Sequence, residues 1–217
     1  MALSSIVELR NSARSWAERK DITDLQMNDF IALTESYVNR ILRVPSMEWR
    51  VNIASTEGRL IIPFDYLALR DITWLKAGVG SQERYPLEST TFTNVNYNRL
   101  KNNGITTEPT HFCRESGYWF IAPMVADDEI FEVRYYRFIP ALVDATNEDN
   151  WLLQVAPEVY LFGCLYFIYQ WLQDETRSDY WQARFEKAIL ALQSQADTDN
   201  SAGVSRVTNL DLNWSKV

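Results

Sequence analysis

Residues 157–172 read PEVYLFGCLYFIYQWL, and the run is apolar on nearly every side of a helix. A helix with one apolar stripe needs a single covering neighbour, whereas one apolar all round must be surrounded. Pro157 suits a first helical turn, where its missing N–H would have no partner anyway. A membrane span is the rival reading, but a span needs about 20 apolar residues. This run is shorter, carries Gln170 and three tyrosines, and has no basic flank. It is therefore expected to be the buried helix of a globular protein, covered by the rest of the chain or by a second subunit.

Cover is available on both sides. Downstream, Asp174 and Glu175 mark a turn, and Trp181, Phe185, Ala188, Ile189 and Leu192 recur at helical spacing between about Ser178 and Gln195. Upstream, Asn150-Trp151-Leu152-Leu153 forms a short apolar anchor. At the start of the chain, Ser5 and Glu8 read as a capping box ahead of Ile6, Leu9, Ala13, Trp16 and Ala17. A second helix presents Met27, Phe30, Tyr37 and Ile41 inward, with Thr34 in the gap, and Asn28, Glu35 and Asn39 outward; Pro45 ends it near Val44.

Between these helices the periodicity changes from helical to alternating. Trp49, Val51 and Ile53 alternate with Arg50, Asn52 and Ala54. Glu57-Gly58 supplies a turn, and residues 59–62 return as the second arm of a hairpin. Residues 63–66 make a turn, 70–76 a third strand closed by Gly78 and Gly80, and 85–88 an extended segment. Residues 90–100 read as a short helix with Phe92, Val95 and Leu100 inward. Asn102-Asn103-Gly104 is a loop, and 111–114, 118–122 and 130–138 are further strands. The expected class is α+β: a helical bundle from the N- and C-terminal helices, with an inserted, mainly antiparallel β-region. The expected boundaries are 1–45, 46–140 and 141–196, followed by an extended arm, 197–217. In that arm Val207 is followed by Leu210, Leu212 and Trp214, which alternate with Asp211 and Asn213. The pattern suits a strand added to another molecule's surface, or equally a tail folded back on its own domain.

Composition narrows the function. The 217 residues are 47% hydrophobic and 23% charged, an ordinary globular balance. Eight Trp and 11 Tyr suit either an aromatic core or subunit interfaces. The net charge of −8 argues against a protein that grips nucleic acid, though not against one that nucleic acid slides past. Cys113 and Cys164 make neither a disulfide framework nor a metal spacing, and Ser4, Ser5 and Glu8 stand where a signal peptide would be basic and apolar. His111, the single histidine, reads as structural. No nucleophile-elbow, zinc-protease, P-loop or dinucleotide motif is present. Asp127, Asp128, Glu129, Asp144, Glu148 and Asp149 lie in turns, where acids are expected in any case. The expectation is a non-enzyme with no catalytic, cofactor-binding or metal-binding residues.

Several stretches, in order, resemble one family. These are residues 29–33, 39–40 and 42–44, then Ile62-Pro63-Phe64-Asp65-Tyr66-Leu67 with Leu69-Arg70, and Tyr85-Pro86-Leu87. Arg134-Tyr135-Tyr136 with Ile139-Pro140-Ala141-Leu142 follows, then Asn150-Trp151-Leu152-Leu153, Pro157-Glu158-Val159-Tyr160-Leu161, Asp174-Glu175 and Trp181. The chain to about residue 195 looks like the head-to-tail adaptor (connector) proteins of short-tailed bacteriophages. That resemblance implies a virion protein made in the host bacterial cytoplasm. It implies assembly as a ring, commonly a dodecamer, between the portal protein and the tail tube or nozzle, with genome DNA passing through the lumen without specific binding. Such a ring needs heterologous interfaces. The candidate interface residues are Tyr166 and Tyr169 on the apolar helix, with Val207, Leu210, Leu212 and Trp214 in the arm. The competing readings are a tail-associated glycan-binding or glycan-cleaving component, and an assembly or completion factor.

Overall fold

A computed structural model describes residues 3–77, 82–101, 107–143 and 146–201. Among them run α1 (Ile6–Trp16), α2 (Asp24–Ile41), β1 (Glu48–Ala54), β2 (Arg59–Ile61), β3 (Tyr66–Ala77), β4 (Gln82–Pro86) and β5 (Glu88–Ser89). Then come α3 (Phe92–Lys101), β6 (His111–Glu115), β7 (Tyr118–Ala122), β8 (Ile130–Arg137), α4 (Trp151–Val155), α5 (Pro157–Trp171) and α6 (Glu175–Ser201). The class is α+β. Two compact units result, one drawn from Met1–Pro45 and Pro140–Val217, the other from Ser46–Ile139. Gly78, Gly80, the Asn102-Asn103-Gly104 loop and Asp144 lie outside the described residues.

In the helical unit α5 packs against α1, α2, α4 and α6. Val159, Tyr160, Leu161, Cys164, Leu165 and Ile168 are buried, and Pro157 opens the first turn. Gly163 lets α2 and α6 approach closely: a Cβ there would stand 2.4 Å from Thr34 Cγ2 and 3.0 Å from Phe185 Cε2. The α1 cap departs from the expected box. The Ser5 hydroxyl accepts the Glu8 N–H at 3.3 Å, but the Glu8 carboxylate reaches past Ser5 to the N–H and hydroxyl of Ser4, both at 2.8 Å. The reciprocal box forms instead at Thr23 and Gln26 on α2. Three helical positions also differ from expectation. Trp16 and Ile41, expected inside, are exposed, while Glu35, expected outside, is buried. The last helix begins at Glu175, where the Asp174 carboxylate accepts the Arg177 N–H at 3.1 Å, and continues past Gln195 to Ser201.

In the β unit two four-stranded sheets stack face to face, with orders β1-β8-β3-β4 and β2-β7-β6-β5. All pairings are antiparallel except β5 with β6. The shared core joins Ile72, Trp74, Phe131, Val133 and Tyr135 from one sheet to Leu60, Phe112, Trp119 and Ile121 from the other. Tyr66, Leu69, Ile72 and Trp74 all serve this core although they are spaced three, three and two residues apart. Register shifts at Tyr66/Ala68 and Leu69/Asp71 make that possible, since a bulge resets which face a side chain takes.

The expected hairpin keeps its turn but not its ladder. Glu57 and Gly58 both have positive φ, and Thr56 bridges Arg59, yet β1 pairs with β8 and β2 with β7, so the chain changes sheet at the turn. Arg99 from α3 braces this turn by donating to the Gly58 carbonyl and, at 2.9 Å, to that of Ile121. Helix α3 covers the outside of the second sheet through Val95, which meets Cys113 and Ala122. Phe92 and Leu100, expected inward, are exposed.

Candidate assembly surface

One buried polar cluster fixes the segment that returns the chain to the helical unit. The Glu35 Oε1 accepts the Leu142 N–H at 2.9 Å and the Tyr160 hydroxyl at 3.0 Å. The Asn150 amide donates to the Tyr160 oxygen and to the Pro140 carbonyl, both at 2.7 Å, while its carbonyl accepts the Leu153 N–H and so caps α4. Burial pushes the Glu35 carboxyl above the usual range, against the lowering effect of these two donors. Burial, and then the nearby Glu35 carboxylate, hold the Tyr160 phenol far above its usual value. Pro140, Leu142 and Leu153 are thus tied to α2 and α5 through the side chains of Glu35, Tyr160 and Asn150.

The surface above this core is aromatic. Trp16, Phe162 and Trp181, from α1, α5 and α6, form a triangle with centroids 5.6–6.4 Å apart. Tyr180 stands edge-on to Trp181 at 5.1 Å, and the Arg184 guanidinium lies 4.6 Å from the Tyr180 ring. Trp16 and Tyr180 remain 52% and 50% exposed. Rings packed at one end and wet at the other, with an arginine across them, are the side chains that dominate protein interfaces. On α5 the half-buried Phe162 and Tyr166 and the exposed Gln170 follow at i, i+4 and i+8, a row left partly open by the covering helices.

The SU10 adaptor protein family model matches residues 4–208. The chain belongs to that family. It is a structural adaptor of a bacteriophage virion, as the resemblance implied, and a comparison with curated proteins finds no match.

For this SU10 adaptor the two tyrosines singled out on α5 are unequal. Tyr169 is 5% exposed beneath the Arg177 guanidinium, 5.4 Å from its ring, and has little surface left to bury. Tyr166 is half-buried, 4.7 Å from Phe167 and 6.5 Å from Phe185. Both line a groove of about 520 Å³ at the α5–α6 corner, with Asp174, Glu175 and Asp179 on its rim. Val207, Leu210, Leu212 and Trp214 lie outside the described residues. Sequence reading placed Trp16 and Trp181 on core faces and did not single out Tyr180 or Arg184. Helical spacing carries no signal that a covering helix stops short of a ring.

Several other polar residues singled out in the sequence have structural partners. His111 Nδ1 lies 2.7 Å from the Thr110 hydroxyl, and its Nε2 lies 3.8 Å from Glu88. The Asp127 carboxylate accepts the Glu57 N–H at 2.6 Å, and the Asp149 carboxylate accepts the Gln154 amide at the same distance. Glu129 shares a pocket of about 380 Å³ with Glu108, but it accepts the Trp74 indole N–H at 2.9 Å while Glu108 pairs with Lys76 at 2.5 Å. Among the described residues no group of three or more His, Cys, Asp or Glu could hold a metal ion, and no helix is long and apolar enough to cross a membrane.

Proposed function

We propose that this chain assembles as a closed ring of twelve copies between a portal and a tail tube or nozzle, and extends the channel through which DNA leaves the head. It acts by assembly and has no catalytic turnover. The observation that carries the reading is the family match across residues 4–208. The partly open aromatic surface supports it: the Trp16, Tyr180, Trp181 and Arg184 patch has the chemistry of a protein interface, and its occupant in a ring is the neighbouring copy. The net charge of −8 supports a wall that lets phosphates pass without holding them. The protein is made in the host bacterial cytoplasm and is retained in the virion. Native mass and negatively stained images of the purified protein with its portal test this. A closed ring on the portal is the expected result; monomers that stay separate from the portal would overturn it.

A further inference from the structure

The two sheets have four outer strands, and three are poor templates for further pairing. β2 has three residues, β5 has two, and β4 ends in Pro86. β1 is different: seven residues, no proline, paired with β8 on one side only. On its other side no backbone hydrogen bond to another segment is made among the described residues. Its inward row, Trp49, Val51 and Ile53, sits at the rim of the core, where Val51 and Ile53 are half-buried and Trp49 is 47% exposed. Its outward row carries Arg50, whose side chain is 67% exposed although its guanidinium lies 3.6 Å from Glu132. Beyond Ile53 the surface opens into a pocket of about 380 Å³ lined by Ile53, Ala54, Thr56, Arg59, Ile61 and Tyr118.

One segment of the sequence complements this edge. Leu210, Leu212 and Trp214 alternate with Asp211 and Asn213, so one face is apolar and the other polar with one acid. The eight residues between Ser201, where α6 ends, and Leu210 can span up to about 29 Å. Direction follows from two matches. Run parallel to β1, the segment sets Asp211 beside Arg50 and Trp214 beside Ile53, at the pocket. Run antiparallel, it sets Asn213 beside Arg50 and the smaller Leu210 at the pocket. We propose that residues 210–214 of a neighbouring copy add to the open edge of β1 as a parallel fifth strand, with Leu210, Leu212 and Trp214 continuing the row Trp49, Val51, Ile53. This rests on the self-assembly proposed above and specifies what the arm grips: the sheet edge of another adaptor subunit.

Mixing two full-length variants tests it. In the parallel register Asn213 lies beside Asn52, both on the solvent face, so Asn52→Cys chains mixed with Asn213→Cys chains should form a disulfide-linked dimer on mild oxidation. Mixing Asn52→Cys with Asp211→Cys shifts the thiols two residues out of register and should give about tenfold less, since a disulfide needs Cβ atoms about 4 Å apart. The natural Cys113 and Cys164 are buried, and burial pushes the Cys164 thiol up to about 12, so their background is low. Native mass is measured on the same samples. Oligomers without the cross-link overturn the arm and leave the ring standing. A cross-link within single Asn52→Cys/Asn213→Cys chains, absent from the mixtures, overturns the exchange between copies. Monomers without any cross-link, when portal is present in the same mixture, overturn both readings. Arg50→Glu should lower the cross-link yield several-fold, and Asp211→Arg on the other chain should restore it; no recovery would overturn the assigned register.

Discussion

Glu35 shows what a single residue can conceal in this chain. Its neighbours on the helix, Asn28 and Asn39, suggested a wet face, and spacing alone placed it there. The structure buries it because Leu142, more than a hundred residues away in sequence, brings a backbone N–H that needs an acceptor. Nothing near position 35 encodes that need, so the sequence could not disclose it. The consequence is a pH dependence with a definite sign. The folded state holds the Glu35 proton more tightly than the unfolded chain, whose carboxyl titrates near about 4.3. Its contribution is therefore complete below that value and is lost as pH rises through the higher folded value. Exposed Glu8, Asp21 and Asp24 are held below the usual range and act with the opposite sign at lower pH. The clean measurement is thus the difference between wild type and Glu35→Gln in denaturant unfolding from pH 4 to 8. Glutamine keeps an acceptor for Leu142, so the variant should gain on wild type as pH rises. A difference independent of pH would exclude the ionisation of Glu35 as the cause. Glu35→Ala should cost about 1–3 kcal/mol, because the Leu142 N–H is left buried without its partner.

At the scale of elements, α5 was the most legible part of the chain. Its apolar circumference required several neighbours, and α1, α2, α4 and α6 supply them. Pro157 marked its start. The alternation of Trp49, Val51 and Ile53 was equally readable as a strand. What a local pattern could not provide was partnership. Glu57-Gly58 turns the chain as its residues dictate, yet the flanking strands pair in different sheets because β8 and β7 offer longer ladders than β1 and β2 offer one another. Nor did the apolar count show where cover ends, which is why Trp16, Ile41 and Leu100 were assigned inward. The closest helix contact makes its own prediction. Gly163→Ala places a methyl against Thr34 and Phe185 and should destabilise the protein by about 1–3 kcal/mol through overpacking. Combining it with Thr34→Ala, which removes both Thr34 atoms in the way, should recover part of that loss although Thr34→Ala alone also destabilises. Simple additivity of the two changes would mean that α2 and α5 do not meet there.

For the whole molecule, folding and assembly place different demands on the same aromatic residues. The core of each unit is already closed around its own buried rings, among them Tyr160, Phe185, Trp119 and Tyr135. Among the rings that remain half open, Trp16 and Tyr180 lie where α1, α5 and α6 meet, and they are dispensable to the fold in proportion to their exposure. Tyr180 is half exposed, and the contacts it makes with Trp181 and Arg184 are near the surface. Replacing Tyr180 and Arg184 together by alanine should therefore cost folding only about 1 kcal/mol, within the range of single surface aromatic pairs. In the proposed ring the same side chains lie at the junction between copies, and the loss repeats at every junction. If they act as anchors, truncation costs about 2 kcal/mol or more per interface, roughly a thirtyfold weakening of each contact. Thermal unfolding of the dilute protein should thus change by only a few degrees, while sedimentation or native mass with portal should show incomplete or absent rings. A variant that loses folding stability and ring formation in parallel would place Tyr180 in the core. One that forms rings as readily as wild type would move the junction to another face of the adaptor.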